Sequence, residues 1–85
     1  MDPDYIKRAQ DRAKLLFDLH IEPSKLANKK FYIPSLHIHF GDKNSSDYLM
    51  HRDKLRRAKF HSRFKYNNGY NDPKSGLFYS SRILW

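Results

Sequence analysis

A chain of 85 residues without a single cysteine has few routes to a stable fold. Disulfides and thiolate-held zinc, the usual staples of marginal small domains, are both excluded. What remains is the packing of one small core, or support from a partner, and a deep catalytic cleft is not expected at this size. Thirteen aromatic residues, 15% of the chain, are too many for a disordered basic tail, so a folded or partner-docked state is predicted. The lack of cysteine fits an intracellular protein. No run approaches the roughly 20 apolar residues that cross a bilayer, and the opening MDPDYIKRAQ is charged where a signal peptide is apolar, so membrane insertion is not expected.

The net charge of +8 is unevenly placed. Residues 1–42 hold 7 Lys/Arg against 6 Asp/Glu, whereas residues 43–85 hold 10 against 3. A field of this kind attracts nucleic acid, an anionic membrane surface or an acidic protein face.

Asp2 followed by Pro3 predicts a helix start, with Asp2 as N-cap and Pro3 where its missing N–H has no consequence. Ile6, Ala9, Ala13, Leu16 and Phe17 then recur at helical steps over about 3–19, and Lys7 with Asp11 and Lys14 with Asp18 make the outer face self-compensated and solvated. Glu22-Pro23-Ser24 ends this helical region, with a short turn over Ser24–Asn28. The period then drops to two. Phe31 and Ile33 alternate with Lys30 and Tyr32, and Leu36, Ile38 and Phe40 alternate with His37 and His39, which predicts two short strands joined at Pro34-Ser35 by a tight hairpin or a wider loop.

After a polar loop, in which Ser46 or Asp47 can act as a cap, residues of about 48–65 predict one basic helix. On it Arg52, Arg56, Lys59 and Arg63 fall within about 60° of one another, a single stripe able to bridge phosphates or acidic side chains. Asp53 is the only acid of that segment. Nearby Tyr48, Phe60, Phe64, Tyr66 and Tyr70 could stack on bases, although Phe60 and Phe64 at an i, i+4 spacing fit a core better. Turn formers fill YNNGYNDPKSG, and the chain closes on LFYSSRILW. Leu77, Phe78, Ile83, Leu84 and Trp85 need cover, either by completing the core or by docking into another protein.

The remaining chemistry-bearing residues carry weaker patterns. His37 and His39 share a strand face and His51 and His61 follow, yet neither HExxH nor CxxC is present, so no metal or other cofactor is expected. Asp42, Asp47 and Asp53 near the histidines resemble a metal-dependent nuclease set only in composition, and no nucleotide-binding glycine loop occurs. No catalytic residue and no small-molecule substrate are expected.

The stretch HFGDKNSSDYLMHRDKLRRAKFHSRF, followed by SGLFYSSRILW, resembles a family of small basic proteins encoded by large double-stranded DNA viruses. The resemblance spans about residues 29–85, leaves residues 1–22 as a separate N-terminal helix, and rests on Phe40, Gly41, Asp47, Tyr48, His51, Asp53, Arg56, Arg63, Gly76, Leu84 and Trp85. Phe64 stands where that family carries a second His and Tyr79 where it commonly carries Trp, which argues against a shared ligand site. The resemblance implies a viral setting, with larger viral structural proteins or packaged DNA as partners.

The periodicity and turn signals along the chain predict a small single α+β domain: an N-terminal helix, a short β-hairpin, a basic second helix and an apolar C-terminal segment. The expected function is that of a non-enzymatic binding protein, a minor capsid or cement component of the virion, with nucleic-acid binding through the stripe as the alternative.

Overall fold

Asp2 and Pro3 start the first helix as their chemistry predicts. In the computed structural model, which describes residues 1–85, α1 runs from Pro3 to Phe17, and Asp2 Oδ1 accepts from the Asp4 N–H at 3.0 Å. The helix stops at Asp18, whose backbone turns left-handed (φ 54°) and returns its N–H to the carbonyls of Ala13 and Lys14. Tyr5, Ala9 and Ala13 form the buried line, with Ile6 and Phe17 packed beside it. Leu16, expected on that line, is 47% exposed, because the inward face follows Tyr5, Ala9 and Ala13.

Beneath α1 lies a three-stranded antiparallel sheet in the order β1 (Glu22–Pro23), β2 (Lys29–Ile33), β3 (Ile38–Asp42). The last two are the predicted strands, in a register that pairs Phe31 with Phe40 and Ile33 with Ile38. The first was not predicted; a two-residue edge strand containing proline has no periodicity to read, and Pro23 is tolerated only because it lies on the edge. The hairpin is the wider kind, running through Pro34–His37 with His37 left-handed at φ 55°. Leu36 and His37 therefore leave the strand, and His37 does not share a strand face with His39 as expected.

Lys30 departs from the alternation in the most consequential way. Predicted to face outward with Tyr32, it is instead buried, with a side chain only 3% exposed, and it donates to Asp47 Oδ2 at 2.7 Å and to the Ser45 carbonyl at 2.6 Å. The Tyr5 hydroxyl donates to the same Asp47 oxygen. Asp47 Oδ1 meanwhile accepts from the Met50 N–H at 3.2 Å and so caps α2 (Tyr48–His51). Gly41 leaves room for this arrangement: at φ +83°, a Cβ there would lie 2.9 Å from Leu84 Cδ1 and 3.0 Å from Lys30 Cβ.

The predicted basic helix of 48–65 is two helices. α2 ends at Arg52, left-handed at φ 56°, and α3 restarts over Lys54–Phe64. A 3₁₀ turn over Asn68–Asn71 leads to α4 (Gly76–Tyr79), which runs on as a π-helical turn through Ser80–Leu84. Ile83 and Leu84 are 0% and 1% exposed, and Phe17 meets Phe78 and Tyr79 at ring separations of 5.6 and 5.4 Å. The C-terminal segment thus completes the core, the first of the two alternatives its composition allowed. Arg12 secures it, donating from Nε to the Ile83 carbonyl at 2.8 Å and from Nη2 to the Arg82 carbonyl at 2.7 Å, the groups a helix end leaves unsatisfied. The architecture is α+β, as predicted, and no helix is long and apolar enough to cross a membrane.

Removing one partner of a buried ion pair strands the other without water, so Asp47→Ala is expected to lower unfolding stability by about 3–5 kcal/mol, read by urea titration. Burial, and then the hydrogen bond to the Asp47 carboxylate, push the Tyr5 phenol above its ordinary range near 10. The folded state thus keeps a proton that the unfolded chain releases. Its stabilising contribution is complete below about pH 10 and declines as pH rises past that value. Alkaline melts should show this decline, and Tyr5→Phe should flatten the part of it that comes from this phenol.

Candidate polyanion-binding site

Two consecutive residues decide how the basic segment is presented. Arg52 turns the chain through its left-handed backbone, and Asp53 begins α3 by accepting from the N–H groups of Leu55 and Arg56 at 3.0 and 3.2 Å. The N–H of Asp53 is itself held by His51 Nδ1 at 2.9 Å. The one acid of the segment is therefore an N-cap, and α3 proper carries Lys54, Arg56, Arg57, Lys59 and Arg63 with no carboxylate among them.

No residue of α3 is fully buried. The helix is fastened mainly through rings: Phe60 stacks on Trp85 with centroids 4.3 Å apart and planes 4° from parallel, and Phe64 lies 4.7 Å from Phe60. His61 Nδ1 and the Tyr70 hydroxyl are hydrogen-bonded at 2.7 Å. Trp85 is half-buried and also meets the His51 ring at 5.3 Å.

Because the helix breaks at Arg52, the four predicted cations do not form one stripe. Arg56 and Arg63 border a hollow of about 600 Å³ together with Lys29, Phe60, Phe64 and Trp85. Arg52 borders a second hollow of about 320 Å³, and exposed Lys59 borders neither. In the larger hollow Lys30 and Asp47 satisfy each other. Asp42 accepts from the Asn44 N–H and the Ser45 hydroxyl, which hold its carboxyl below the usual range. The uncommitted charge is thus positive. Arg56 Nη2 donates to Ser46 Oγ at 3.1 Å, and the Arg63 guanidinium lies 5.1 Å over the Phe64 ring. Both side chains are exposed.

Of the five predicted docking residues, Ile83 and Leu84 are core and cannot present a surface. Leu77 lines the larger hollow, Phe78 packs against the core beneath the Arg82 guanidinium at 3.9 Å, and Trp85 lines both hollows. The acids and histidines fall to structural positions: Asp47 in the buried pair, Asp53 at the cap, and His39 stacked on Tyr32 with Nδ1 2.8 Å from Ser24 Oγ. No group of three or more His, Asp or Glu converges as a metal site would require.

The stretch that holds the buried pair and the basic helix is also the stretch with a family match, which covers residues 19–64 under the description Family of unknown function (DUF5754). The chain belongs to that family. No curated protein and no solved structure matches it. The DUF5754 stretch runs from just before β1 to the end of α3, so it begins earlier than the expected 29–85 and leaves Gly76, Leu84 and Trp85 outside. It contains Lys30, Asp47, Asp53 and the α3 cations, while the Tyr5 and Arg12 contacts come from α1 beyond it. The match speaks to membership and not to origin.

Sequence reasoning missed Arg8, Arg12, Lys29 and Arg57. Arg8 and Arg12 lie off the apolar positions of α1, where a solvated side chain is expected, yet both are half-buried. One signal was available: Arg12 has no acid at three or four residues in either direction, unlike Lys7 and Lys14.

Since α3 is held chiefly through Phe60 on Trp85, Phe60→Ala should detach the helix and leave the core folded. Hydrogen exchange is expected to lose protection over 54–64 while the β2 and β3 amides keep theirs.

Proposed function

We propose that this DUF5754 protein is a non-enzymatic binding protein that grips the phosphate backbone of nucleic acid through α3 and the larger hollow. The observation that carries this reading is the charge of α3: five cations, no carboxylate, and not one arginine of the chain in an ion pair. Arginine left unpaired beside aromatic rings suits both phosphate contact and base stacking. Arg56 and Arg63 with Lys29 supply the charge, and Phe60 and Phe64 the rings. No feature calls for a particular base sequence, so contact with the backbone is the expected mode.

A second reading is a minor capsid or cement protein of a large DNA virus particle, seated among larger structural subunits in the virion. Two features favour it. The sequence resembles proteins of such viruses, and Leu15 and Leu16 stand 84% and 47% exposed on α1. Burial of Ile83 and Leu84 inside the domain removes the apolar terminus from its support. The backbone-binding reading is therefore placed first. Both readings put the protein in an infected cell before assembly, and both are compatible with a virion component.

Retardation of duplex DNA by the full chain, followed across salt concentrations, separates them. Affinity should fall steeply with salt, and the Arg56→Gln, Lys59→Gln, Arg63→Gln triple variant should flatten the log–log slope by about 0.9 for each phosphate it no longer neutralises. Retardation untouched by the triple variant would overturn the backbone reading. Retention on capsid shells after nuclease digestion and a high-salt wash would favour the structural one.

A further inference from the structure

The smaller hollow, about 320 Å³, brings together four arginines from three segments: Arg8 and Arg12 one turn apart on α1, Arg52 at the left-handed junction, and Arg57 on α3. Tyr48 and Trp85 supply aromatic wall. The only side-chain carboxylate on the rim is Asp11, which is exposed and already bonded to Lys7 at 3.4 Å. Four like charges around one hollow outnumber that acid and repel one another unless an anion joins them.

Three of the four guanidinium groups are held in ways that leave N–H groups for a ligand. Arg12 is fixed in plane by its two bonds to the Arg82 and Ile83 carbonyls, which use Nε and Nη2. Arg57 lies over the Tyr48 ring at 4.4 Å. Arg8 reaches the Leu49 carbonyl only at 3.5 Å, and its Nε is buried with no hydrogen-bond partner. A buried donor of that kind is uncommon in folded chains.

We infer that this hollow binds a phosphomonoester group. Arginine forks match the oxygens of a phosphate better than any other side chain, and a dianion answers several of them at once. The size points the same way. Ligand pockets run from about 300 to 1,000 Å³, so this one suits a compact group and not a length of duplex. The site requires none of Arg56, Lys59 or Arg63, and shares with the backbone grip proposed for α3 only Arg57 and the Trp85 wall.

Trp85 is the chain's one tryptophan and lines both hollows, so its fluorescence reports occupancy of either, and variants confined to one hollow assign the change. The full chain would be titrated at constant ionic strength with inorganic phosphate, with a short 5′-phosphorylated oligonucleotide and with its 5′-hydroxyl twin. A saturable change with either phosphate source is expected, weakened by roughly tenfold or more in Arg57→Gln and in the Arg52→Gln, Arg57→Gln pair. It should persist in Arg56→Gln, Arg63→Gln. Preference for the phosphorylated over the hydroxyl oligonucleotide would assign the group to a strand end, and equal response of the two alongside saturation by inorganic phosphate would assign it to a free phosphate. Thermal melts by circular dichroism check that the Arg52 and Arg57 variants remain folded. No saturable change, a change that survives loss of Arg52 and Arg57, or one abolished through Arg56 and Arg63 would each overturn the assignment.

Discussion

Lys30 and Asp47 are joined where neither can reach water, and the position of nearly every other element follows from that contact. A buried pair of this kind is not strongly stabilising compared with an apolar substitute, because desolvation of both ions offsets most of their attraction. Its effect is on geometry. Asp47 accepts hydrogen bonds from Lys30 on β2 and Tyr5 on α1 with one oxygen, and from an N–H of α2 with the other. Three elements distant in sequence are thereby fixed about one carboxylate. The pair also holds the Ser45 carbonyl, which sets the loop before α2 and hence the direction in which the basic segment leaves the core.

The same division of labour explains the charge on the surface. Carboxylates throughout the chain serve structural ends. Asp2 and Asp53 cap helices, Asp42 and Asp72 accept from backbone N–H groups within their own turns, and Asp11 and Asp18 pair with lysines on α1. Every ion pair is made by lysine or histidine. The arginines are held in other ways: Arg12 and Arg82 by backbone carbonyls, Arg57 and Arg63 by aromatic faces. These contacts orient a guanidinium without neutralising it. Part of the excess positive charge therefore sits on arginines with defined positions, which a net charge of +8 does not by itself imply.

What the sequence made legible was local. Asp2-Pro3 marked a helix start, and alternation in KKFYI and in IHF marked two strands, because each signal is complete within a few residues. Lys30 was misread because its partner lies 17 positions away; alternation assigns a lysine to water unless a buried acid is known to face it. The break in the basic segment was misread for a related reason. A left-handed arginine has no composition cue, and Asp53 looks the same as a lone acid inside a helix and as the cap of a new one until the chain direction is known. The stripe failed with it, since a wheel assumes one continuous axis. The C-terminal segment was ambiguous in sequence and became clear only once Arg12 and the aromatic faces around Phe17 supplied its partners.

The helix that bears five cations outside any ion pair is also the one least bound to the core. An element without a fully buried residue, docked through one stacked pair of rings, the His61–Tyr70 and Arg56–Ser46 hydrogen bonds and Arg57 on the Tyr48 ring, opens at lower free-energy cost than the core. Its N-terminal end is the better anchored, since Asp53 is tied through His51 to α2 and thence to Asp47. Movement of α3 would thus pivot about Asp53 and alter the two hollows together, because Trp85 lines both. Charge and mobility coincide in this helix because the acids that could have pinned its arginines are engaged elsewhere in the fold.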